Sequence, residues 1–91
     1  MPRYLAEWYR PDPSDQQFRR ANADVAATAI GTPVQLLLTV VVADDHVAFG
    51  LFTAPSAAGV EHVCRVAGHP PTRIAEALAE FTDPLPTGRS S

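Results

Sequence analysis

The stretch from Asp44 to Ala77, DDHVAFGLFTAPSAAGVEHVCRVAGHPPTRIAEA, constrains the fold more than any other part of the chain. Asp44-Asp45 is a turn signal, and Val47 to Ala54 resumes as a strand, so the two make the closing half of a hairpin. Pro55 ends that strand, and Ser56 can cap a helix that carries Ala57, Val60, Cys64 and Ala67 along one stripe. Gly68 stops the helix, and Pro70-Pro71 prevents its extension. Arg73 to Phe81 then reads as a last strand.

The first half follows the same logic. Arg3 to Tyr9 is rich in aromatic residues and ends at Arg10-Pro11-Asp12-Pro13, where two prolines break any ladder. Ser14 and Gln17 form a capping-box pattern, with Asp15 suited to the positive end of a helix dipole. Phe18, Ala21, Val25 and Ala29 fall at helical spacing, and Gly31 with Pro33 ends the helix. Val34 to Ala43 is apolar at nearly every position, which predicts a strand covered on both faces. The order is β-α-β-β-α-β, an α+β, ferredoxin-like arrangement: a four-stranded antiparallel sheet with two helices on one face. Residues 1–83 are expected to form the single domain, and 84–91 a mobile tail.

An apolar sheet face is left over after the helices pack. Alternate residues such as Leu37, Val41, Phe49 or Phe52 are expected there, too apolar to leave wet. A second copy across that face would close a dimeric α+β barrel around a semi-enclosed cavity, so the expected partner is the chain itself.

Composition excludes several classes. The chain has 91 residues, 46% of them hydrophobic, and a net charge of −3 with its seven basic residues scattered. A nucleic-acid binder would show a basic stripe, so no nucleic-acid partner is expected. The longest apolar run, Leu36 to Ala43, is too short to span a bilayer, and the N-terminus has no signal-peptide core. One cysteine cannot make an internal disulfide, which suits a reducing cytoplasm. A soluble cytoplasmic protein is expected.

The residues that could carry chemistry are few. His62 lies off the helix packing stripe, and neutral imidazole is a common ligand for transition metals. His69 follows the helix stop, and seven residues of helix separate the pair by about 10.5 Å, a strained reach for one ion. His46 reads as a turn residue, and Cys64 as a small buried hydrophobe. Glu61 and Arg65 make an i, i+4 pair that needs no functional account. Glu7 sits in an apolar strand, on a face with Leu5 and Tyr9, and Glu76 stands similarly in the last strand. Two carboxylates opening toward one cavity could act as acid and base or join histidines around a metal; salt bridges to Arg3 or Arg73 are the plainer use. Trp8 and Tyr9 could be ligand-stacking walls or dimer filler. The candidate ligand contacts are therefore Glu7, Trp8 and Glu76, and the candidate metal residues His62 and His69.

The segments Phe52-Thr53-Ala54-Pro55, Ala67-Gly68-His69-Pro70 and Arg73-Ile74, with Tyr4-Leu5-Ala6-Glu7 and Pro11 before them, resemble a family of short bacterial proteins of unknown function. The resemblance covers nearly the whole chain and implies a ferredoxin-like dimer. Part of that family is labelled nickel-binding, and Glu61-His62 matches its Glu-His pair, which implies a divalent metal, nickel, near His62. Three positions depart from the pattern. Trp8 replaces an arginine, Gly50 stands where a cysteine is common, and Thr53 where a glutamate is common. The function expected from residues and resemblance together is a small ligand- or metal-binding protein. The alternative is a cofactor-independent enzyme, of monooxygenase or isomerase type, acting on a small hydrophobic molecule in the barrel cavity.

Overall fold

The computed structural model describes residues 1–9 and 15–78. Residues 10–14, which include the Ser14 cap, and the segment beyond Leu78 with the expected tail lie outside the described residues. The elements are β1 (Arg3–Tyr9), α1 (Asp15–Ala29), β2 (Gln35–Val42), β3 (Val47–Thr53), α2 (Ala57–Val66) and β4 (Arg73–Ala77), with a short 3-10 turn, Ala43–Asp45, between β2 and β3. The sheet is antiparallel in the order β2-β3-β1-β4, so β1 and β3 are central and β2 and β4 are edges.

Local chemistry accounts for the boundaries. The Ser56 hydroxyl accepts from the Gly59 N–H at 3.2 Å, satisfying one of the orphan donors at the start of α2. At the other end Gly68 takes φ 86°, His69 N–H donates to the Cys64 carbonyl at 2.9 Å, and Gly68 N–H to the Arg65 carbonyl at 3.0 Å. That pair of bonds is a Schellman stop, which needs a left-handed residue that glycine supplies without strain. The β2–β3 connection ends on His46 at φ 51°, confirming its role as a turn residue.

The core lies between the helices and one sheet face. Val25 and Ala29 of α1 meet Tyr4, Ala6 and Phe52 of the sheet and Val60, Val63 and Cys64 of α2. The expected α1 stripe is thus present. On α2, Val63 joins the buried set, whereas Ala57 is exposed.

Two expectations are corrected at β2. A bulge between Leu36 and Leu38 inserts one residue into the ladder. Beyond it, Leu38, Val40 and Val42 pair with Leu51, Phe49 and Val47, while Thr39 and Val41 pair with Gly50 and Ala48. Directly paired residues share a face, so the uncovered face carries Leu38, Val40 and Val42, and Val41 stands with the helix-side residues. Phe49 lies on the uncovered face as expected. Phe52, three residues on and therefore of opposite parity, is fully buried beneath the helices. Nor is β2 covered on both faces within one chain: Leu38, Val40 and Val42 are 50%, 45% and 37% exposed.

Candidate functional site

The sheet divides the candidate residues between two places. On the uncovered face, β1 presents Leu5, Glu7 and Tyr9 by strict alternation, opposite Leu51, Phe49 and Val47 of β3. Glu7 also pairs in register with Arg73 of β4. The Glu7 side chain is only 13% exposed; one carboxylate oxygen is 3.5 Å from the Arg73 guanidinium, and the other accepts from the Tyr9 hydroxyl at 3.2 Å. Arg73 is 66% exposed, so the pair itself is screened and worth about 0–1 kcal/mol. The plainer use foreseen for Glu7, an ion pair with Arg73, is therefore present, and the Arg73 side chain remains largely exposed. Thr72 anchors this corner, donating its N–H to the Glu7 carbonyl at 2.7 Å and accepting from Tyr9 N–H at 3.3 Å.

Trp8 has the opposite parity and lies under the helices. Its indole N–H donates to the His69 carbonyl at 2.7 Å, and its ring meets Phe52 at 6.5 Å between centroids, tilted by 53°. The ring occupies the space above Gly50. A Cβ built there would sit 3.0 Å from both Trp8 Cζ3 and Phe52 Cε1. The two family-pattern positions at which this chain has Trp8 and Gly50 are thus in direct contact, and the indole fills the volume a side chain at position 50 would need. Gly50→Cys is expected to cost about 1–3 kcal/mol through overpacking, read as a lower midpoint in urea. Trp8→Ala should restore most of that loss in the double variant, and strictly additive losses would disprove the coupling.

Beneath α1 the same indole borders a cavity of about 30 Å³, whose other walls include Phe18, Val25, Leu36 and Phe52. Its polar lining comes from Asn22, Thr39 and His69. His69 Nε2 lies 3.0 Å from Asp24 Oδ2, tying the α2 stop to the middle of α1. Asn22 Oδ1 is buried with no hydrogen-bond partner among the described residues.

The predicted site residues are therefore dispersed. Glu7 and Trp8 point to opposite faces. Glu76 pairs in register with Tyr4 on the edge strand and is exposed. His62 is exposed on α2, and His69 is part-buried against Asp24. Among the described residues no three or more His, Cys, Asp or Glu side chains group as a metal ion would require. Sequence reasoning did not single out Asn22 or Asp24 as site partners; Asp24 and His69 are 45 residues apart, and no local pattern links them.

Cys64 is buried among the core residues, and desolvation raises its thiol from an ordinary 9.0 to about 11. At neutral pH it is protonated and unreactive, as expected of a packing residue. The neutral thiol is the form the fold favours, so its contribution is complete below pH 9 and lost as pH rises through 11. About 3 kcal/mol of stability should disappear over that window. Denaturation midpoints of wild type and Cys64→Ala across pH 8–11.5 should converge at the alkaline end, and parallel curves would refute the assignment.

No helix among the described residues is long and apolar enough to cross a membrane. No protein-family model and no curated protein matches the chain. Among solved structures the chain is similar to the crystal structure of SCO4226 from Streptomyces coelicolor A3(2), with a TM-score of 0.77 and 20% identity over 87% of this chain and 99% of that one. At that identity the likeness speaks for the fold: a small α+β domain, β-α-β-β-α-β, with both proteins spanning the same unit.

Proposed function

We propose that this protein is a homodimer that binds a small, largely apolar molecule in the space enclosed between two uncovered sheet faces. The observation that carries the reading is the composition of that face. It sets an embedded carboxylate, a phenol and a guanidinium (Glu7, Tyr9, Arg73) beside Leu5, Phe49, Leu51 and Val40. Few polar groups placed within an apolar surface are what an orienting ligand site requires. The absence of a nucleophile–base pattern in the chain favours binding over turnover.

Under this reading Arg73 supplies the polar anchor. Its planar fork suits a carboxylate or sulfonate head, while the apolar body lies on the sheet. The test uses 1-anilinonaphthalene-8-sulfonate as probe. A saturable fluorescence response is expected, weakened roughly tenfold or more by Arg73→Ala and unchanged by Arg65→Ala on the outer face of α2. Equal responses from both variants would count against the site.

A divalent ion such as nickel is the ligand the resemblance implies. Calorimetry on chelator-stripped protein addresses it in the same sample. Saturable heat near one ion per chain, lost in His62→Ala, would put the metal first; the present reading predicts no such heat.

A further inference from the structure

The cavity beneath α1 lies on the opposite side of the sheet from Glu7 and is built within one chain. It has three properties that together specify a ligand. Its walls are aromatic and aliphatic: Trp8, Phe18, Val25, Leu36 and Phe52. Its volume, about 30 Å³, is room for roughly two waters. And Asn22, one of the lining residues, has its side-chain oxygen buried without a hydrogen-bond partner among the described residues. A buried acceptor left unpaired is costly, and the cost is recovered by whatever donor reaches it.

We infer that this cavity is a slot for the hydroxyl end of a small apolar alcohol, with the hydroxyl on the Asn22 amide and the carbon chain against Trp8 and Phe18. A hydroxyl fits better than an amine or a carbonyl for a specific reason. The two ends of an Asn amide are a donor and an acceptor, and a hydroxyl can serve either one. A charged head is excluded by the apolar walls, since a charge is expensive to bury unpaired. The small volume admits only the end of the molecule, so the remainder occupies the mouth. Thr39, on the β2 side of the same cavity, is a further polar residue of its lining.

The indole of Trp8 borders the slot, and it is the only tryptophan of the chain, so its emission is a direct readout. The probe is 1-butanol, compared with its isomer methyl propyl ether, which has the same atoms and no hydroxyl donor. A saturable change in Trp8 emission is expected with 1-butanol, at least roughly tenfold tighter than with the ether. Asn22→Leu, which removes the amide and fills the slot, should abolish saturation, with native far-ultraviolet dichroism as the check on folding. The isomer comparison is made on wild-type protein and stands even if that variant does not fold. A response that rises linearly with 1-butanol, equal affinity for the ether, or saturation unchanged in Asn22→Leu would each overturn the inference and leave the cavity to water. The Arg73 variant has no bearing on this result, so the slot and the sheet-face site fail independently.

Discussion

Phe52→Ala is expected to remove about 3–5 kcal/mol of stability, the largest loss from any single truncation of a buried side chain among the described residues. Phe52 is fully buried, lies on the central strand β3, and contacts both the core beneath α1 and α2 and the tilted ring of Trp8. Loss of the ring opens a hole that Gly50, having no side chain, cannot help to fill. A domain of this size holds about 5–15 kcal/mol in total, so the variant should sit near the edge of folding at room temperature. Urea unfolding is the check: the midpoint should fall with little change in slope, and a loss below about 1 kcal/mol would mean the core is not organised around this ring.

The second large effect concerns assembly. Val40 lies near the middle of β2 on the uncovered face, 45% exposed in the single chain, opposite Phe49. Val40→Glu therefore costs the monomer little. In a two-fold dimer through this face the substitution enters twice, each time as an unpaired carboxylate taken out of water. The dimer dissociation constant is expected to rise by roughly a hundredfold or more, since about 3 kcal/mol corresponds to a factor near 150. Light scattering on wild type and variant at equal concentration measures it. Val66→Glu is the control, because Val66 is exposed on α2 and belongs to neither sheet face. A Val40→Glu protein that assembles like wild type would place any contact elsewhere.

The elements were legible because punctuation residues state them. Ser56 caps α2, Gly68 takes the left-handed stop, Pro70-Pro71 precedes β4, and Asp44-Asp45 with His46 turns the hairpin. Each acts within a few residues of itself, so a local reading suffices. Alternation also placed Glu7 correctly beside Leu5 and Tyr9, because β1 is regular along its whole length.

What was not legible depends on register and on distant pairs. One inserted residue near Leu37 reverses the parity of the rest of β2, so a count from the start of the strand assigns Val41 to the wrong face. Phe52 faces inward where Phe49 faces outward, because residues three apart in a strand face opposite ways. The candidate site suffered most. Trp8 meets Gly50 and the His69 carbonyl, and His69 meets Asp24, across separations of 42, 61 and 45 residues. Those contacts follow from the packing of α1 and the α2 stop over the sheet, which no periodicity in one strand encodes. The grouping of Glu7 with Glu76 failed for a related reason: they sit on strands β1 and β4 with opposite parity, Glu7 opposite Arg73 and Glu76 opposite Tyr4.

The proposed dimer buries the sheet face that holds Leu38, Val40, Glu7 and Arg73 against a second copy. Sedimentation equilibrium of the wild-type chain, followed through dilution from tens of micromolar to below one micromolar, tests it most directly. The mass of two chains, falling to one only toward the end of the dilution, is the predicted result. The mass of a single chain at every concentration would contradict it.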